Sequence, residues 1–261
     1  MPQLKIAVEL RCLRLPFKQA LLAARRLGVS AVEIDARGEI NAQQLTPSGL
    51  RQVRKMLEDL ELRVAAVSFR TRRGYDSADE LERRIEATKR AMSLAYSLGA
   101  SLVVNQIGRV PENSEGPTWT TLVEALNDLG AYGQRVGALL AADTGSESGA
   151  DLARLLDALP DGALAVSLNP GNLIINGFSS LDAVQALGAN IRYVRAKDGV
   201  RDLAQGRGIE VPLGRGAADF PALCGALEEH GYRGYWTVAR ERAEDPLGEI
   251  GQAVQYLSSL G

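Results

Sequence analysis

The sequence predicts an α/β protein, a single (β/α)8 TIM barrel over residues 1–261. Short apolar strands alternate with amphipathic helical patterns from end to end, and eight strand–helix units fit a fold that typically takes about 250 residues. No linker or low-complexity segment interrupts the alternation. A doubly wound open sheet is the alternative, but it usually carries a glycine-rich fingerprint after the first strand, and the segment ELRCLRLPF has none.

The strands are predicted from runs of four to eight apolar or alternating residues. In chain order they are LKIAVEL (4–10), AVEID (31–35), LRVAAVSF (62–69), SLVVNQ (101–106), ALLAAD (138–143), ALAVSLN (163–169), IRYVRAKD (191–198) and GYWTVA (234–239). The long connections after the third and seventh strands, 69–79 and 199–219, are interpreted as loop insertions within the one domain.

The helices are predicted from apolar residues that recur every three or four positions, and most of them end on glycine, as helix C-termini commonly do. In order they are FKQALLAARRLG, SGLRQVRKMLEDL, DELERRIEATKRAMSLAYSLG, TWTTLVEALNDLGAYGQR, GADLARLLDAL, SLDAVQALG, DFPALCGALEEHG and LGEIGQAVQYLSSL.

The net charge, the cysteines and the single histidine argue against several classes of function. The net charge is −2, which gives no general attraction to nucleic acid or membrane, and no apolar run approaches a membrane span. The only two cysteines, Cys12 and Cys224, form neither a disulfide framework nor a CxxC pair, so a cytoplasmic location is expected. The single histidine, His230, is predicted at a helix C-terminus before Gly231, which argues strongly against histidine metal sites and Ser-His-Asp triads.

Polar residues end the predicted strands, where a TIM barrel places its active site. Some of them could serve only as helix caps or loop ties, but the whole ring favours a hydroxyl-rich or anionic ligand. The ring consists of Glu9, Glu33, Asp35, Ser68, Asn105, Gln106, Asp143, Asn169, Arg195, Lys197 and Asp198, with Glu147, Asn172, Asn176, Arg201, Arg207, Arg215, Arg240 and Glu241 just beyond.

Arginines cluster in the same loops. Arg70, Arg72 and Arg73 follow the third strand, and Arg201, Arg207 and Arg215 follow the seventh. Guanidinium groups match carboxylate and phosphate, and the glycines of AQGRGIEVPLGRG would let backbone amides approach an anion. Solvated surface arginine is the alternative interpretation.

Four segments resemble the sugar phosphate isomerase/epimerase family of xylose-isomerase-like TIM barrels. They are LLAADTGSESG, SLNPGNLIINGFS, YVRAKDG and VPLGRGAADFPALCGALEEHGYRGYWTVARER. The resemblance implies a divalent metal held by Glu, Asp, His and Glu at the ends of strands five to eight, proton transfer next to a sugar carbonyl, and a substrate-binding arginine that corresponds to Arg207.

The chain departs from that ligand pattern at each position. Asp143 replaces the first Glu, Asn169 the Asp, Arg195 the His and Ala239 the last Glu. A guanidinium cannot ligate a metal, and two like unit charges about 4 Å apart repel by roughly 4 kcal/mol at an effective dielectric near 20. We therefore expect no metal cofactor, with Arg195 in the cation's place and paired to Asp143.

Two functions remain open. The first is a sugar, sugar acid or sugar phosphate isomerase or epimerase, with Asp143 or Glu147 as base and Lys197 or Arg195 stabilising the enediolate oxygen. The second is a non-catalytic carbohydrate-binding or regulatory protein. In both, the predicted substrate contacts are Arg195, Asn169, Arg207, Asp198, Asn105 and Glu241.

The expected partner is a small carbohydrate or anionic sugar, without nucleic acid or membrane, and a homo-oligomer is possible. Nucleic-acid repair ranks a distant third, because one histidine cannot supply the ligands of a multi-metal site.

Overall fold

The structure is a computed structural model that describes residues 3–202 and 208–261. Eight parallel strands close into a barrel, with the last strand paired to the first. They are β1 (Lys5–Glu9), β2 (Ala31–Asp35), β3 (Arg63–Ser68), β4 (Leu102–Asn105), β5 (Leu139–Asp143), β6 (Ala165–Leu168), β7 (Ile191–Ala196) and β10 (Tyr235–Val238). The predicted TIM barrel is confirmed.

Helices surround the barrel and bury their apolar faces against it. They are α1 (Phe17–Arg26), α2 (Pro47–Asp59), α3 (Leu81–Ser97), α4 (Pro117–Val136), α5 (Gly149–Asp157), α6 (Pro170–Ile175), α7 (Ser180–Leu187), α8 (Phe220–Glu229) and α9 (Pro246–Ser258). Side-chain caps begin several of them: Ser148, for example, accepts a hydrogen bond from the Asp151 amide, and Asp219 accepts one from the Ala222 amide.

The structure adds two features that the sequence prediction lacked. The segment predicted as one strand over 191–198 breaks at Lys197, and a short antiparallel hairpin follows, formed by β8 (Asp198–Val200) and β9 (Ile209–Val211). Helix α6 begins directly after β6, because the Asn169 side chain caps it and Pro170 is tolerated in a first turn. Both features lie at the carboxyl ends of the strands.

The barrel interior is lined by small side chains and a few large polar ones. Ala7, Ala31, Ala141 and Ala165 are buried there together with Tyr193. Alanines on neighbouring strands leave room for longer side chains that reach across the barrel. The space is taken by polar groups that end in the barrel mouth.

In the described part of the chain, no helix combines the length and the apolar character that a membrane crossing requires.

Candidate functional site

A cavity of about 270 Å³ lies at the carboxyl ends of the strands, and we call it the mouth cavity. Its lining residues are Arg70, Thr71, Val104, Asn105, Gln106, Asp143, Asn172, Arg195, Lys197 and Glu241. Five of the predicted site residues are among them. The volume lies just below the range usual for drug-sized ligands, so the cavity suits a small molecule.

The other predicted site residues lie elsewhere. Glu147, Asn169 and Asp198 are buried close to the mouth without lining the cavity, and Arg207 lies outside the described residues.

Arg195 is buried and pairs first with Glu33, the middle residue of β2. Its Nη2 donates to Glu33 Oε1, and its Nε lies 3.4 Å from Glu33 Oε2. The predicted contact with Asp143 is longer, at 3.5 Å from Arg195 Nη1 to Asp143 Oδ2. Arg195 Nη2 also lies 3.7 Å from Glu9 Oε1. The prediction that Asp143 is the main partner is therefore corrected: Glu33 takes that place.

Glu33 also binds Tyr193, whose hydroxyl donates a hydrogen bond to Glu33 Oε2 at 2.7 Å. Burial lowers the pKa of Arg195, but the charges of Glu33, Glu9 and Asp143 outweigh burial and raise that pKa well above its ordinary value. Arg195 is therefore a fixed cation at the floor of the mouth cavity.

Asp143 faces the mouth cavity with both carboxylate oxygens engaged. Ser167 Oγ donates to Oδ1 at 3.0 Å, and Asn169 Nδ2 donates to Oδ2 at 3.2 Å. The same Asn169 caps α6 by accepting a hydrogen bond from the Asn172 amide at 3.0 Å. Asn169 thus orients Asp143 and helix α6, and its predicted contact with substrate stays a prediction.

A second ion cluster forms the rim of the mouth cavity. Arg70 Nη2 donates to Glu9 Oε1 at 2.9 Å and to Glu241 Oε1 at 2.8 Å, while Lys197 Nζ lies 3.9 Å from Glu241 Oε1. Burial alone would raise the pKa of Glu241, but the charges of Lys197 and Arg70 outweigh burial and lower the pKa to about 2. Glu241 therefore holds Arg70 and Lys197 in the mouth, and Arg11 Nη2 lies 3.5 Å from the same Oε1.

Asp198 binds the protein's own backbone. Its Oδ1 accepts hydrogen bonds from the amides of Gly199 (2.8 Å) and Ala218 (3.1 Å), and its Oδ2 accepts from Gly214 (3.0 Å) and Gly216 (2.9 Å). A Cβ at position 216 would come within 2.1 Å of Oδ1, so only glycine allows this approach. The anion predicted for these glycine amides is thus Asp198 itself, which argues against its predicted contact with substrate.

Asn105 joins the end of β4 to the loop after β3. Its Nδ2 donates to Thr71 Oγ1 and to the Tyr75 hydroxyl, both at 3.0 Å, and its Oδ1 accepts a hydrogen bond from the Thr71 amide at 3.3 Å. Asn105 therefore fixes the wall of the mouth cavity, and its predicted contact with substrate stays a prediction.

Glu147 is a buried carboxyl group on the loop after β5. Burial raises its pKa to about 7, and the charges of Asp143 and Asp151 act in the same direction, against a hydrogen bond from Ser146. Within the described residues no cation pairs with this carboxyl group. A carboxyl group that titrates near neutral pH can both accept and return a proton.

The sequence prediction placed Glu9, Glu33 and Arg70 at the barrel mouth without a specific role, and it did not include Tyr193. The period-two spacing of Tyr193 and Arg195 in a buried strand was a signal, since it places both side chains on one face. It did not identify Glu33 as their shared partner, because that contact crosses the barrel from β7 to β2.

Several solved structures share this fold. A xylose isomerase domain protein from Planctomyces limnophilus has 23% identity, covers 99% of this chain and 98% of its own, and superposes with a TM-score of 0.87. A xylose isomerase-like TIM barrel protein from Mycobacterium smegmatis, in complex with magnesium, has 17% identity, coverage of 99% and 96%, and a TM-score of 0.79. A D-allulose 3-epimerase from Methylomonas sp., in complex with D-allulose, has 17% identity, coverage of 99% and 98%, and a TM-score of 0.75. No curated protein matches the chain.

The magnesium complex overturns the expectation that the mouth takes no metal cofactor. That expectation assumed that Arg195 would pair with Asp143 and repel a cation from it. In the structure Glu33 and Glu9 balance much of the Arg195 charge, so the repulsion at Asp143 is smaller than assumed.

Structural similarity at this level of identity establishes the fold, and a family model identifies the family. The model described as xylose isomerase-like TIM barrel matches residues 21–260, which is nearly the whole chain. The order of the eight strands and the position of the mouth cavity agree with it. The chain belongs to the xylose isomerase-like TIM barrel family.

Proposed function

We propose that this protein is a carbohydrate isomerase or epimerase that moves a proton on a carbon atom next to a sugar carbonyl. The observation that carries the proposal is Glu147, a buried carboxyl group with a pKa of about 7 and no cationic partner within the described residues. It lies close enough to Asp143, which lines the mouth cavity, for the Asp143 charge to raise that pKa. Sugar epimerases are among the proteins of this fold.

The proposed reaction uses a carboxyl group beside the mouth cavity and two cations that line it. Ionised Glu147 takes the proton from the carbon next to the carbonyl. The electron pair of the broken C–H bond forms a C=C bond, and the π pair of the C=O bond moves to the carbonyl oxygen, which gives an enediolate. Lys197 and Arg195 provide positive charge toward that oxygen. Protonated Glu147 then returns the proton. Delivery to the former carbonyl carbon, with a proton moving between the two oxygens, gives the isomer, and delivery to the opposite face of the original carbon gives the epimer, so the net charge and the number of protons are unchanged.

Asp143 is the carboxylate of the mouth cavity that could hold a divalent cation. The described residues contain no cluster of three or more His, Cys, Asp or Glu side chains with the arrangement of a metal site. Magnesium does not require such a cluster, because one or two carboxylates with waters and substrate oxygens suffice. When bound, such an ion would polarise the sugar carbonyl.

Non-catalytic carbohydrate binding is the second candidate function. It is favoured by the three donors around Asp143, namely Ser167, Asn169 and Arg195, which already occupy the oxygens of that carboxylate. The same mouth cavity would then bind a sugar without moving its protons.

Proton exchange separates the two candidates whatever the product of the reaction is. The protein is incubated in D₂O with a panel of ketoses, aldoses and their phosphates, with magnesium or manganese and with a chelator, and the C–H signals next to the carbonyl are followed by NMR. Exchange that is lost in Glu147→Gln supports the proposed function. Sugar binding without exchange under every condition would favour the non-catalytic function instead.

A further inference from the structure

A second cavity, of about 320 Å³, lies beside the mouth cavity in the loop between β3 and α3. We call it the arginine cavity, and Arg37, Thr71, Arg72, Arg73, Arg83 and Arg84 are among its lining residues. Five arginines line it against two carboxylates, those of Asp79 and Glu80. Thr71 lines both cavities, so the two are neighbours.

Several of these arginines are held in place by the protein. Arg37 Nη1 donates to the Arg70 carbonyl oxygen at 2.8 Å, and its guanidinium stacks over Phe69 at 5.3 Å. Arg84 donates to the carbonyl oxygens of Asp79 and Ser77. Neutral carbonyl oxygens orient these guanidinium groups without cancelling their charge, so both remain available to an anion.

Two donors in the arginine cavity have no partner within the described residues. Arg72 makes neither a hydrogen bond nor an ion pair there, and the Nε atom of Arg84 is buried without an acceptor. A buried donor without a partner is uncommon and calls for an explanation, such as a ligand. Among the described residues, the carboxylates that line the cavity are Asp79 and Glu80, which are engaged by Arg73 and Arg83.

The beginning of α3 adds to the positive potential. Glu80 precedes the helix with a φ of 50° and gives no side-chain cap, so the first-turn amides lack that acceptor. A helix N-terminus carries a partial positive charge, and this one lies beside the arginines of the cavity.

We propose that the arginine cavity binds the phosphate group of a phosphorylated monosaccharide whose carbonyl end lies in the mouth cavity. The inference rests on the proposed function, since it names the substrate class of that site. Phosphate is preferred over carboxylate because a dianion with three acceptor oxygens can engage several guanidinium forks at once.

The test compares binding of D-ribulose 5-phosphate, D-ribulose and inorganic phosphate by isothermal titration calorimetry. We expect the phosphate ester to bind at least about tenfold tighter than the neutral sugar, as one or more charge-assisted hydrogen bonds imply. Arg72→Gln should remove most of that preference, because Arg72 has no hydrogen bond or ion pair to lose within the described residues, and Arg72→Lys should retain part of it. The matched control is Arg90→Gln, an exposed arginine of α3 outside the cavity, which should leave the preference unchanged.

Failure of this inference can be told apart from failure of the proposed function. If no sugar exchanges protons while inorganic phosphate still binds in an Arg72-dependent manner, the proposed function fails and the phosphate site stands. If D-ribulose 5-phosphate binds no tighter than D-ribulose, or if Arg72→Gln and Arg90→Gln behave alike, the phosphate site is overturned whatever the exchange assay gives. Tighter binding of D-gluconate than of the phosphate ester would also overturn it.

Discussion

Arg195 and Glu33 form a two-point ion pair across the barrel, although 162 residues separate them in the chain. The pair is buried, and its carboxylate also accepts a hydrogen bond from Tyr193. A buried pair of this kind stabilises little compared with apolar packing, but each partner depends on the other for its charge.

Glu33→Gln should therefore destabilise the protein strongly. The Arg195 charge would lose its nearest partner in a buried position, which costs about 3–5 kcal/mol in the free energy of unfolding. Urea denaturation measures the loss. The double variant Glu33→Gln with Arg195→Met should recover part of it, because no uncompensated guanidinium remains. A single variant as stable as the wild type would show that Asp143 and Glu9 balance the charge without Glu33.

Protonation of Glu147 should affect both the rate of proton exchange on a sugar and the free energy of unfolding. Its folded pKa of about 7 exceeds the ordinary value of 4.5, so the protonated form is favoured in the folded state. Stability from this group is present below pH 4.5 and is lost as pH rises through about 7, by up to about 3 kcal/mol. Proton exchange on a sugar needs the ionised form, so its rate should rise through the same range.

Glu147→Gln should flatten the pH dependence of unfolding between pH 4.5 and 7 and abolish exchange. Glu39→Gln is the matched control, since burial also raises the pKa of Glu39 to about 7, but its carboxyl group accepts a hydrogen bond from the Asp35 amide and has no part in the proposed reaction. It should flatten the stability profile and leave exchange intact. Exchange that persists in Glu147→Gln would remove Glu147 from the reaction.

The barrel could be predicted from the sequence because each of its strands and helices is recognisable from a short stretch of residues. Each strand is a short apolar run and each helix has its own periodicity, and the polar residues at strand ends, such as Asp143 and Lys197, meet wherever the strands are parallel. Helix α6 was missed because six residues give too little periodicity to recognise.

The contacts within the site could not be predicted in the same way. The Arg195–Glu33 pair depends on which strands face each other across the closed barrel. The amides that surround Asp198 belong to residues up to 20 positions later. In the segment RTRR (70–73), no local sequence feature distinguishes Arg73, which pairs with a carboxylate, from Arg72, which has no such pair among the described residues. These contacts are settled by tertiary packing, which sequence spacing does not encode.

Asp198→Asn should loosen the loop that follows β7. The amide replaces one acceptor oxygen with an NH₂ group, which would face two backbone amides and lose their hydrogen bonds. Hydrogen bonds to a charged group contribute about 1.5–3 kcal/mol each, so a loss of about 3 kcal/mol is expected in urea denaturation. Hydrogen exchange should accelerate at the two amides that lose their acceptor, which are those of Gly199 and Ala218 when the NH₂ group replaces Oδ1. Asp219→Ala, which removes a single helix cap, should cost only about 1 kcal/mol. Equal effects of the two variants would contradict the role given to Asp198.

Magnesium should bind weakly to the protein alone and more tightly with a sugar present. Of the two carboxylates among the described lining residues, Glu241 is held by cations, whereas Asp143 is held mainly by neutral donors, and substrate hydroxyl oxygens would complete the coordination shell. Thermal unfolding with millimolar magnesium, with and without a bound sugar, measures this linkage, since a ligand of the folded state raises the midpoint. The shift should disappear in Asp143→Asn, which keeps the size of the side chain, and persist in the surface control Asp59→Asn. If the shift is the same in Asp143→Asn and Asp59→Asn, the ion binds outside the mouth. If magnesium causes no shift with any sugar that binds the unmodified protein, Arg195 keeps a divalent cation away from Asp143.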